Sequence, residues 1–250
     1  MWLSILVVGC QSPVQPLAPL DPSDTRPDAL MTGLANSSAA RASLTGALRL
    51  SLDAPDLRFR RPQRLALRRP ADLRVEILGL FGQIAAVLVT NGVTYQSFSA
   101  SGGFESGDVT PDLLWRVARV DLEPGEAVDV LLGVPLPSAG SALGGAYSDG
   151  RGSIRLDFRD AKGRLRERFD FDPDGHLADF ARFNAKEQLE WEASFDDYRD
   201  VSGSDFAFEI NLSFPDVDAT ASLQFDHASL GPELADELFV LPERNGAALQ

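Results

Sequence analysis

Cysteine, lysine and histidine are scarce in this chain of 250 residues, which contains one cysteine, two lysines and two histidines. A single cysteine excludes a disulfide bond within the chain. Neither histidine stands at a spacing from other ligand-type residues that is typical of a metal site. We therefore expect no metal centre and no cofactor.

Positive charge and long apolar runs are also lacking. The chain carries 23 basic and 37 acidic residues, which gives a net charge of −14. Proteins that bind nucleic acid neutralise phosphates with lysine and arginine, so a nucleic acid is not an expected partner. After residue 12, no stretch approaches the ~18 consecutive apolar residues that a membrane-spanning helix needs.

Motifs that mark enzymes are absent as well. The sequence has no G-x-S-x-G nucleophile motif and no glycine-rich phosphate loop. The stretch DFDPDG, residues 170–175, begins like a calcium-binding loop, but Ala181 stands where such a loop requires glutamate. The same residues suit a tight hairpin turn. We predict that the protein is not an enzyme, with an unrecognised hydrolase as an alternative, because catalytic residues can be far apart in sequence.

The single cysteine, Cys10, follows a short apolar stretch. Val7-Val8-Gly9-Cys10 resembles the bacterial lipobox, in which the cysteine receives a lipid and becomes the mature N-terminus. Residues 11–28 contain five prolines and no hydrophobic periodicity, which is typical of an extended spacer. We predict a signal-peptide remnant over 1–9 and a lipidated Cys10 with its proline-rich tether over 10–27. The alternative is a cysteine without a special role.

The rest of the chain, 28–250, is predicted to form one domain. Residues 28–42 have helical spacing, and two further short helices are predicted after Thr110, as N-cap, and near Pro124, with Gly133 just past the end. About eleven segments alternate like strands and are joined by short links, among them the hairpin signal Asn91-Gly92. We predict a mainly β (α+β) fold, in which one strongly curved antiparallel sheet forms an unclosed half-barrel under a lid of short helices.

Arginine is concentrated in residues 56–74, which hold seven arginines and two aspartates. Such a stretch could bind anionic headgroups or an acidic partner protein. It could also be a solvated hairpin face that balances acidic neighbours.

Three stretches resemble the LolA/LolB superfamily of periplasmic carriers and outer-membrane lipoproteins, and LolB-like lipoproteins most of all. LTGALRLSL (44–52) is similar to the first strand of that family, and residues 73–98 are similar to its strand, glycine-containing apolar tip and hairpin. PGEAVDVLLGVPLP (124–137) is similar to a family helix that ends in a Leu-Gly-x-Pro turn. The resemblance covers about 44–242.

This resemblance implies a half-barrel whose apolar hollow binds the acyl chains of lipids or lipoproteins. It also implies that the tip residues Leu80 and Phe81 contact the membrane, although Phe81 could instead fold back under the sheet. A glutamine after Cys10, where aspartate would signal retention in the inner membrane, favours the outer membrane. The inward residues predicted to line the hollow are Leu48, Leu50, Phe59, Leu73, Val75, Leu88, Phe98, Trp115 and Phe158.

The function expected from the resemblance is non-covalent transfer. The protein would be a monomeric lipoprotein, anchored in the outer membrane and facing the periplasm, that accepts lipoproteins or lipids from a soluble LolA-like carrier and inserts them. The alternative is an envelope sensor or assembly scaffold that binds a protein partner with the same fold.

Overall fold

A computed structural model describes residues 17–242, so Cys10 and the lipobox lie outside the described residues. Fourteen strands form one antiparallel sheet that does not close into a barrel. The strands are β1 (Ala18–Pro19), β2 (Ser43–Ala54), β3 (Leu57–Arg68), β4 (Asp72–Leu78), β5 (Ile84–Thr90), β6 (Thr94–Ser99), β7 (Gly103–Asp108), β8 (Ala142–Ser148), β9 (Ile154–Arg159), β10 (Leu165–Phe171), β11 (Leu177–Phe183), β12 (Leu189–Val201), β13 (Ser204–Phe214) and β14 (Ala219–Leu230).

Three α-helices and two 3₁₀ turns accompany the sheet. The helices are α1 (Arg26–Ala40), α2 (Leu113–Ala118) and α3 (Pro124–Leu131), and the 3₁₀ turns are Pro215–Val217 and Asp236–Phe239. In the part of the chain that the structure describes, no helix is both long and apolar enough to cross a bilayer.

The strand order places two meanders side by side. The order across the sheet is β1-β8-β9-β10-β11-β12-β13-β14-β2-β3-β4-β5-β6-β7, so the last strand pairs with β2 in the middle of the sheet. Strand β7 is therefore at one edge and β8 is near the other. The connection between them, 109–141, must cross the whole sheet, and it carries α2 and α3 across the inner face.

The predicted fold class is confirmed, and twelve of the fourteen strands lie in segments that the sequence indicated as strands. The two strands that the sequence did not indicate are β1 and β7, which lie at the two edges of the sheet. All residues of β7, GFESGD, are exposed. An edge strand that buries neither face shows no hydrophobic alternation, which explains why it was missed.

Local sequence signals account for several turns and helix ends. Strands β5 and β6 are joined at Asn91-Gly92, where Gly92 has a φ of 82° and the Asn91 side chain accepts hydrogen bonds from the backbone N–H groups of Val93 and Thr94. Helix α3 ends before Gly133, whose φ is 69°, as a glycine after a helix end should. The predicted N-cap Thr110 was wrong by two residues, because α2 starts after Asp112.

One half of the inner face is filled with aromatic rings. A continuous row of rings runs along β9 to β12 and consists of Phe158, Phe169, Phe180 and Trp191. The distances between successive ring centroids in this order are 5.4, 4.9 and 5.1 Å. Leu34 of α1 belongs to the same buried cluster. This half of the sheet is a packed core.

A second, smaller cluster lies on the opposite, outer face of the sheet. Leu241, which follows the 3₁₀ turn Asp236–Phe239, packs against Val87 and Val89 of β5, and its backbone N–H donates to the Gln96 side chain at 2.7 Å. The segment after β14 therefore covers the outer face of β5 and β6.

Part of the predicted tether is attached to the sheet. Ala18 and Pro19 pair with Tyr147 and Ser148 of β8, and the backbone N–H of Leu20 donates to the Ala146 carbonyl at 2.9 Å. Any free spacer that follows Cys10 therefore ends at Ala18.

Candidate functional site

A cavity of about 540 Å³ lies between the inner face of β2–β7 and the two helices of the β7–β8 connection. This volume is within the ~300–1,000 Å³ typical of ligand pockets. Most of its lining is apolar. The sheet contributes Leu50, Leu57, Phe59, Leu65, Leu73, Val75, Ile77 and Leu88, and the helical roof contributes Leu114, Val117, Val120, Leu122, Ala127 and Leu131.

Small residues leave this half of the sheet hollow. At positions facing the roof, β5 and β6 carry Ala86, Ser97 and Ser99. Gly102 follows in the next turn, and Gly103 begins β7. The other half of the sheet has phenylalanine and tryptophan on its inner face. Protein interiors are otherwise close-packed, so side chains this small opposite a fixed roof leave space for a ligand.

The roof helix α2 is attached to the rim of the sheet by two polar contacts. Arg119 binds Asp56 in the β2–β3 turn, with Nη2 2.6 Å from Oδ2. Arg116 donates to the Tyr95 hydroxyl at 2.9 Å, and that hydroxyl donates to Glu105 at 2.5 Å. The hydrogen bond to Glu105 raises the pKa of Tyr95.

The roof helix α3 is attached through two half-buried ion pairs. Asp129 lies 3.0 Å from Arg69, and Glu126 lies 3.1 Å from Arg182. Burial raises the pKa of both carboxyl groups, although the arginines counteract it. The Nε atoms of Arg69 and Arg182 are buried without a hydrogen-bond partner among the described residues, which weakens the fixation of the roof.

Six of the nine residues predicted for the hollow border this cavity, namely Leu50, Phe59, Leu73, Val75, Leu88 and Phe98. The other three lie elsewhere. Leu48 is buried in the main core beside the cavity, and Phe158 belongs to the aromatic row of the filled half. Trp115 of α2 packs against the core, with the Arg119 guanidinium 5.5 Å from its ring. Contact of these residues with a ligand stays a prediction.

Phe98 differs from the other five in its orientation. It pairs with Val87 across β5 and β6, and it packs with the outer cluster around Leu241. Cross-strand partners share a face of the sheet, so the Phe98 side chain belongs to the outer face. Its inward neighbour on β6 is Ser97, which pairs with Leu88.

The tip between β4 and β5 holds two apolar side chains in solvent. Leu80 is 92% exposed and Phe81 is 93% exposed, so Phe81 does not fold back under the sheet. Backbone hydrogen bonds between Gly79 and Gln83 close the turn, and the Gln83 side chain accepts from the Phe81 N–H at 3.0 Å. Membrane contact by this tip stays a prediction.

The arginine-rich stretch divides into paired and unpaired members. Four of the seven arginines form ion pairs: Arg58 with Asp53, Arg68 with Asp72, Arg69 with Asp129, and Arg74 with Glu76. Within residues 17–242, Arg60, Arg61 and Arg64 form no ion pair. Four of the seven arginines therefore neutralise acidic neighbours, which is one of the two roles expected for this stretch.

The calcium-like stretch forms the turn between β10 and β11. One carboxylate oxygen of Asp172 accepts from the backbone N–H groups of Asp174 and His176, both at 2.9 Å. Ligand-type atoms of Asp172, Asp174 and His176 lie within 4.8 Å of one another. Ala181 lies on β11, opposite Arg168, and brings no carboxylate to this turn.

Two polar residues of the cavity wall were not predicted to line it, although Arg61 is one of the seven arginines of residues 56–74. Arg61 and Gln63 occupy alternate positions of β3, between the predicted Phe59 and the lining residue Leu65. The period-two pattern of β3 could have placed both on the inner face. They were missed because the arginine-rich composition of this strand masks that alternation.

The sequence matches no protein-family model, and it matches no curated protein. A LolA superfamily protein from Nitrosomonas europaea is similar in structure, with a TM-score of 0.57 at 10% identity, over 84% of this chain and 97% of that chain. A DUF1329 family protein from Desulfovibrio piger gives a TM-score of 0.61 at 12% identity, over 88% of this chain and 98% of that chain.

A third similar structure is a domain from Vibrio parahaemolyticus described as an outer membrane lipoprotein-sorting protein. It gives a TM-score of 0.50 at 8% identity, over 83% of this chain and 94% of that chain. At these identities the comparisons show a shared fold. The chain therefore shares the overall fold of these three structures.

Proposed function

We propose that this protein binds the acyl chains of lipids or lipoproteins in the cavity under α2 and α3, and transfers them without covalent chemistry. The observation that carries the proposal is the unfilled half of the sheet. A cavity of about 540 Å³ with a mainly apolar wall remains where the other half is packed with aromatic rings. Moving a 16-carbon chain from water into such a cavity is worth on the order of 10 kcal/mol.

The shared fold supports the same class of ligand. The structurally similar domain from Vibrio parahaemolyticus is described by its role in outer membrane lipoprotein sorting. We propose acyl-chain binding for this chain because its own cavity offers the necessary space and a mainly apolar wall.

Delivery into a membrane is the second part of the proposal. Leu80 and Phe81 at the β4–β5 tip expose large apolar side chains that the fold does not need. Exposed apolar residues on a hairpin tip suit insertion into the acyl region of a bilayer. We propose that this tip touches the membrane that receives the ligand.

The third part is the anchor. We propose that Cys10 carries a lipid that holds the protein on the periplasmic side of the outer membrane. Seven residues separate Cys10 from Ala18. In an extended conformation of ~3.1 Å per residue, they would let the domain lie up to about 25 Å from the lipid. Cys10→Ala should release the protein into the soluble periplasmic fraction, and continued membrane association would contradict lipidation.

Native mass spectrometry of the chain purified without detergent tests the binding function. We expect masses that exceed the polypeptide by one acyl-chain ligand and that lose this excess on extraction with organic solvent. A lipid-free chain that instead retains a stoichiometric protein partner would contradict the carrier function and support the scaffold alternative.

A further inference from the structure

The cavity wall contains one buried polar side chain whose hydrogen-bonding groups are unused. Gln63 is 3% exposed and borders the cavity. Among the described residues its amide makes no hydrogen bond. Unlike the Nε atoms of Arg69 and Arg182, the amide atoms of Gln63 are not sealed from solvent, so they open onto the cavity. Their hydrogen-bonding capacity is therefore available to the polar group of a ligand.

A cation lies next to this amide on the same face of the sheet. Arg61 is two residues before Gln63 on β3, so the two positions are about 7 Å apart along the strand. Arg61 borders the cavity and is exposed, which places it at the mouth. Its one hydrogen bond goes to the Arg60 carbonyl, and it has no carboxylate partner in the described part of the chain.

The acidic member of the cavity wall lies elsewhere. Glu105 is on β7, four strands away from β3, which corresponds to about 19 Å along the sheet. It is already bound to the Tyr95 hydroxyl and faces Arg116. The charge available to a ligand on the β3 side is therefore positive.

We propose that Arg61 and Gln63 bind the polar end of the ligand, and that this ligand is a single-chain amphiphile with an anionic group, a carboxylate or a phosphate. This inference rests on the proposed acyl-chain function and narrows its ligand class. The chain lies in the apolar cavity, while the anion stays at the mouth, where the Arg61 guanidinium donates two parallel hydrogen bonds. The Gln63 amide donates one more from inside the wall.

Binding measurements with three probes of equal chain length test this assignment. The full chain, carrying Cys10→Ala so that no attached lipid competes, is titrated below the micelle concentration with palmitate, 1-palmitoyl lysophosphatidylglycerol and 1-hexadecanol. We expect both anionic probes to bind about tenfold or more tightly than hexadecanol. Comparison of the two anionic probes distinguishes a carboxylate ligand from a phosphate ligand.

Three variants separate headgroup binding from general effects on the protein. Arg61→Gln should weaken binding of the anionic probes about tenfold and leave hexadecanol unchanged, and Gln63→Leu should weaken them by a smaller factor. Arg64→Gln is the matched control, because Arg64 is an unpaired arginine of the same strand that points away from the cavity. It should bind all three probes like the parent chain, and urea midpoints confirm that each variant folds.

The outcomes are distinct. If the parent chain binds hexadecanol as tightly as palmitate, or if Arg61→Gln weakens all probes equally, the headgroup assignment is wrong and acyl-chain binding stands. If the parent chain binds none of the three probes, the proposed function fails, and the headgroup assignment fails with it.

Discussion

Arg119, at the end of α2, binds Asp56 in the β2–β3 turn through two nitrogens, with Nε 2.9 Å from Oδ1 and Nη2 2.6 Å from Oδ2. The two residues are 63 positions apart in sequence, and no strand pairing joins them. Their contact connects the roof of the cavity to the rim of the sheet. A ligand that enters at this rim must pass a roof held by this ion pair.

Replacing Asp56 should loosen the roof without unfolding the sheet. Exposed ion pairs stabilise proteins weakly, so Asp56→Asn should leave the urea midpoint nearly unchanged. Amide hydrogen exchange in α2 should become about twofold to fivefold faster, and palmitate should dissociate faster by a similar factor. Asp53→Asn is the control, because it removes an Asp–Arg pair of the same hairpin that does not involve the roof. Equal exchange in the two variants would contradict a role for Asp56 in holding the roof.

The ion pair between Glu126 and Arg182 predicts a pH dependence of stability. Burial raises the pKa of Glu126 above its ordinary 4.5, so the folded chain binds this proton more tightly than the unfolded chain does. The protonated Glu126 makes its full contribution to the unfolding free energy below pH 4.5. This contribution is lost as the pH rises through the raised pKa of the folded chain. Glu126→Gln resembles the protonated form at every pH. Its stability relative to the parent chain should therefore improve between pH 4 and pH 7.

Urea unfolding at several pH values in this range measures the effect. Glu233→Gln is the control, because Glu233 is exposed and forms no ion pair in the described part of the chain. This variant controls for the loss of one carboxylate from the surface of the protein. A Glu126→Gln variant that instead loses stability relative to the parent as the pH rises would show that Arg182 outweighs the burial of the carboxylate.

Filling the cavity should abolish ligand binding. Ala86 of β5 borders the cavity, and phenylalanine at this position would occupy the space of a ligand chain. We expect Ala86→Phe to weaken palmitate binding at least about tenfold, since the lost apolar burial of a few methylenes is worth more than 1.4 kcal/mol. Ala85→Phe, at a neighbouring position that does not line the cavity, should bind normally. Tight palmitate binding by Ala86→Phe would place the ligand elsewhere.

The filled and hollow halves of the sheet should differ in their sensitivity to truncation. Phe169 is fully buried between Phe158 and Phe180, so Phe169→Ala should cost about 3–5 kcal/mol of unfolding free energy. Phe59 is half-buried and borders the cavity, so Phe59→Ala should cost less than about 2 kcal/mol. Urea unfolding of both variants measures this difference. Equal costs would mean that the cavity half is packed as tightly as the aromatic half.

The tip should act in membrane contact and not in folding. Phe81 is 93% exposed, so Phe81→Glu should leave the unfolding free energy within about 0.5 kcal/mol of the parent, as measured by urea unfolding. It should reduce binding to vesicles and delivery of ligand into them, while palmitate binding stays unchanged. Val93→Glu provides a control, because Val93 is another exposed apolar residue, in the β5–β6 turn. Equal vesicle binding by Phe81→Glu and the parent would contradict membrane contact by the tip.

Local signals in the sequence predicted much of this fold. Period-two alternation indicated the long strands, and Asn91-Gly92 and Gly133 indicated a hairpin and a helix end that the structure contains. The pairing of β14 with β2 could not be predicted in this way, because these strands have no turn in common. The short strand β1 has no pattern of its own and forms only because β8 offers an unpaired edge.

The sequence predicted that an apolar cavity exists, but it predicted the residues that line this cavity only in part. A curved sheet with one apolar face needs a cover, and the sequence supplied two short helices for it. Which half stays hollow depends on small residues such as Ala86 and Ser99, whose partners across the space are set by tertiary structure. Phe98 borders the cavity although it pairs with Val87 of the outer cluster, a position that the alternation of its strand alone does not indicate.

The segment 109–141 begins at one edge strand of the sheet and ends near the other. A cover attached at both ends can open only by bending within the segment or by sliding over the sheet, and not by rotating about a single free end. A hydrocarbon chain would then enter from the side, between the roof and the rim of the sheet. Such an entrance would admit long, thin molecules and exclude bulky ring systems.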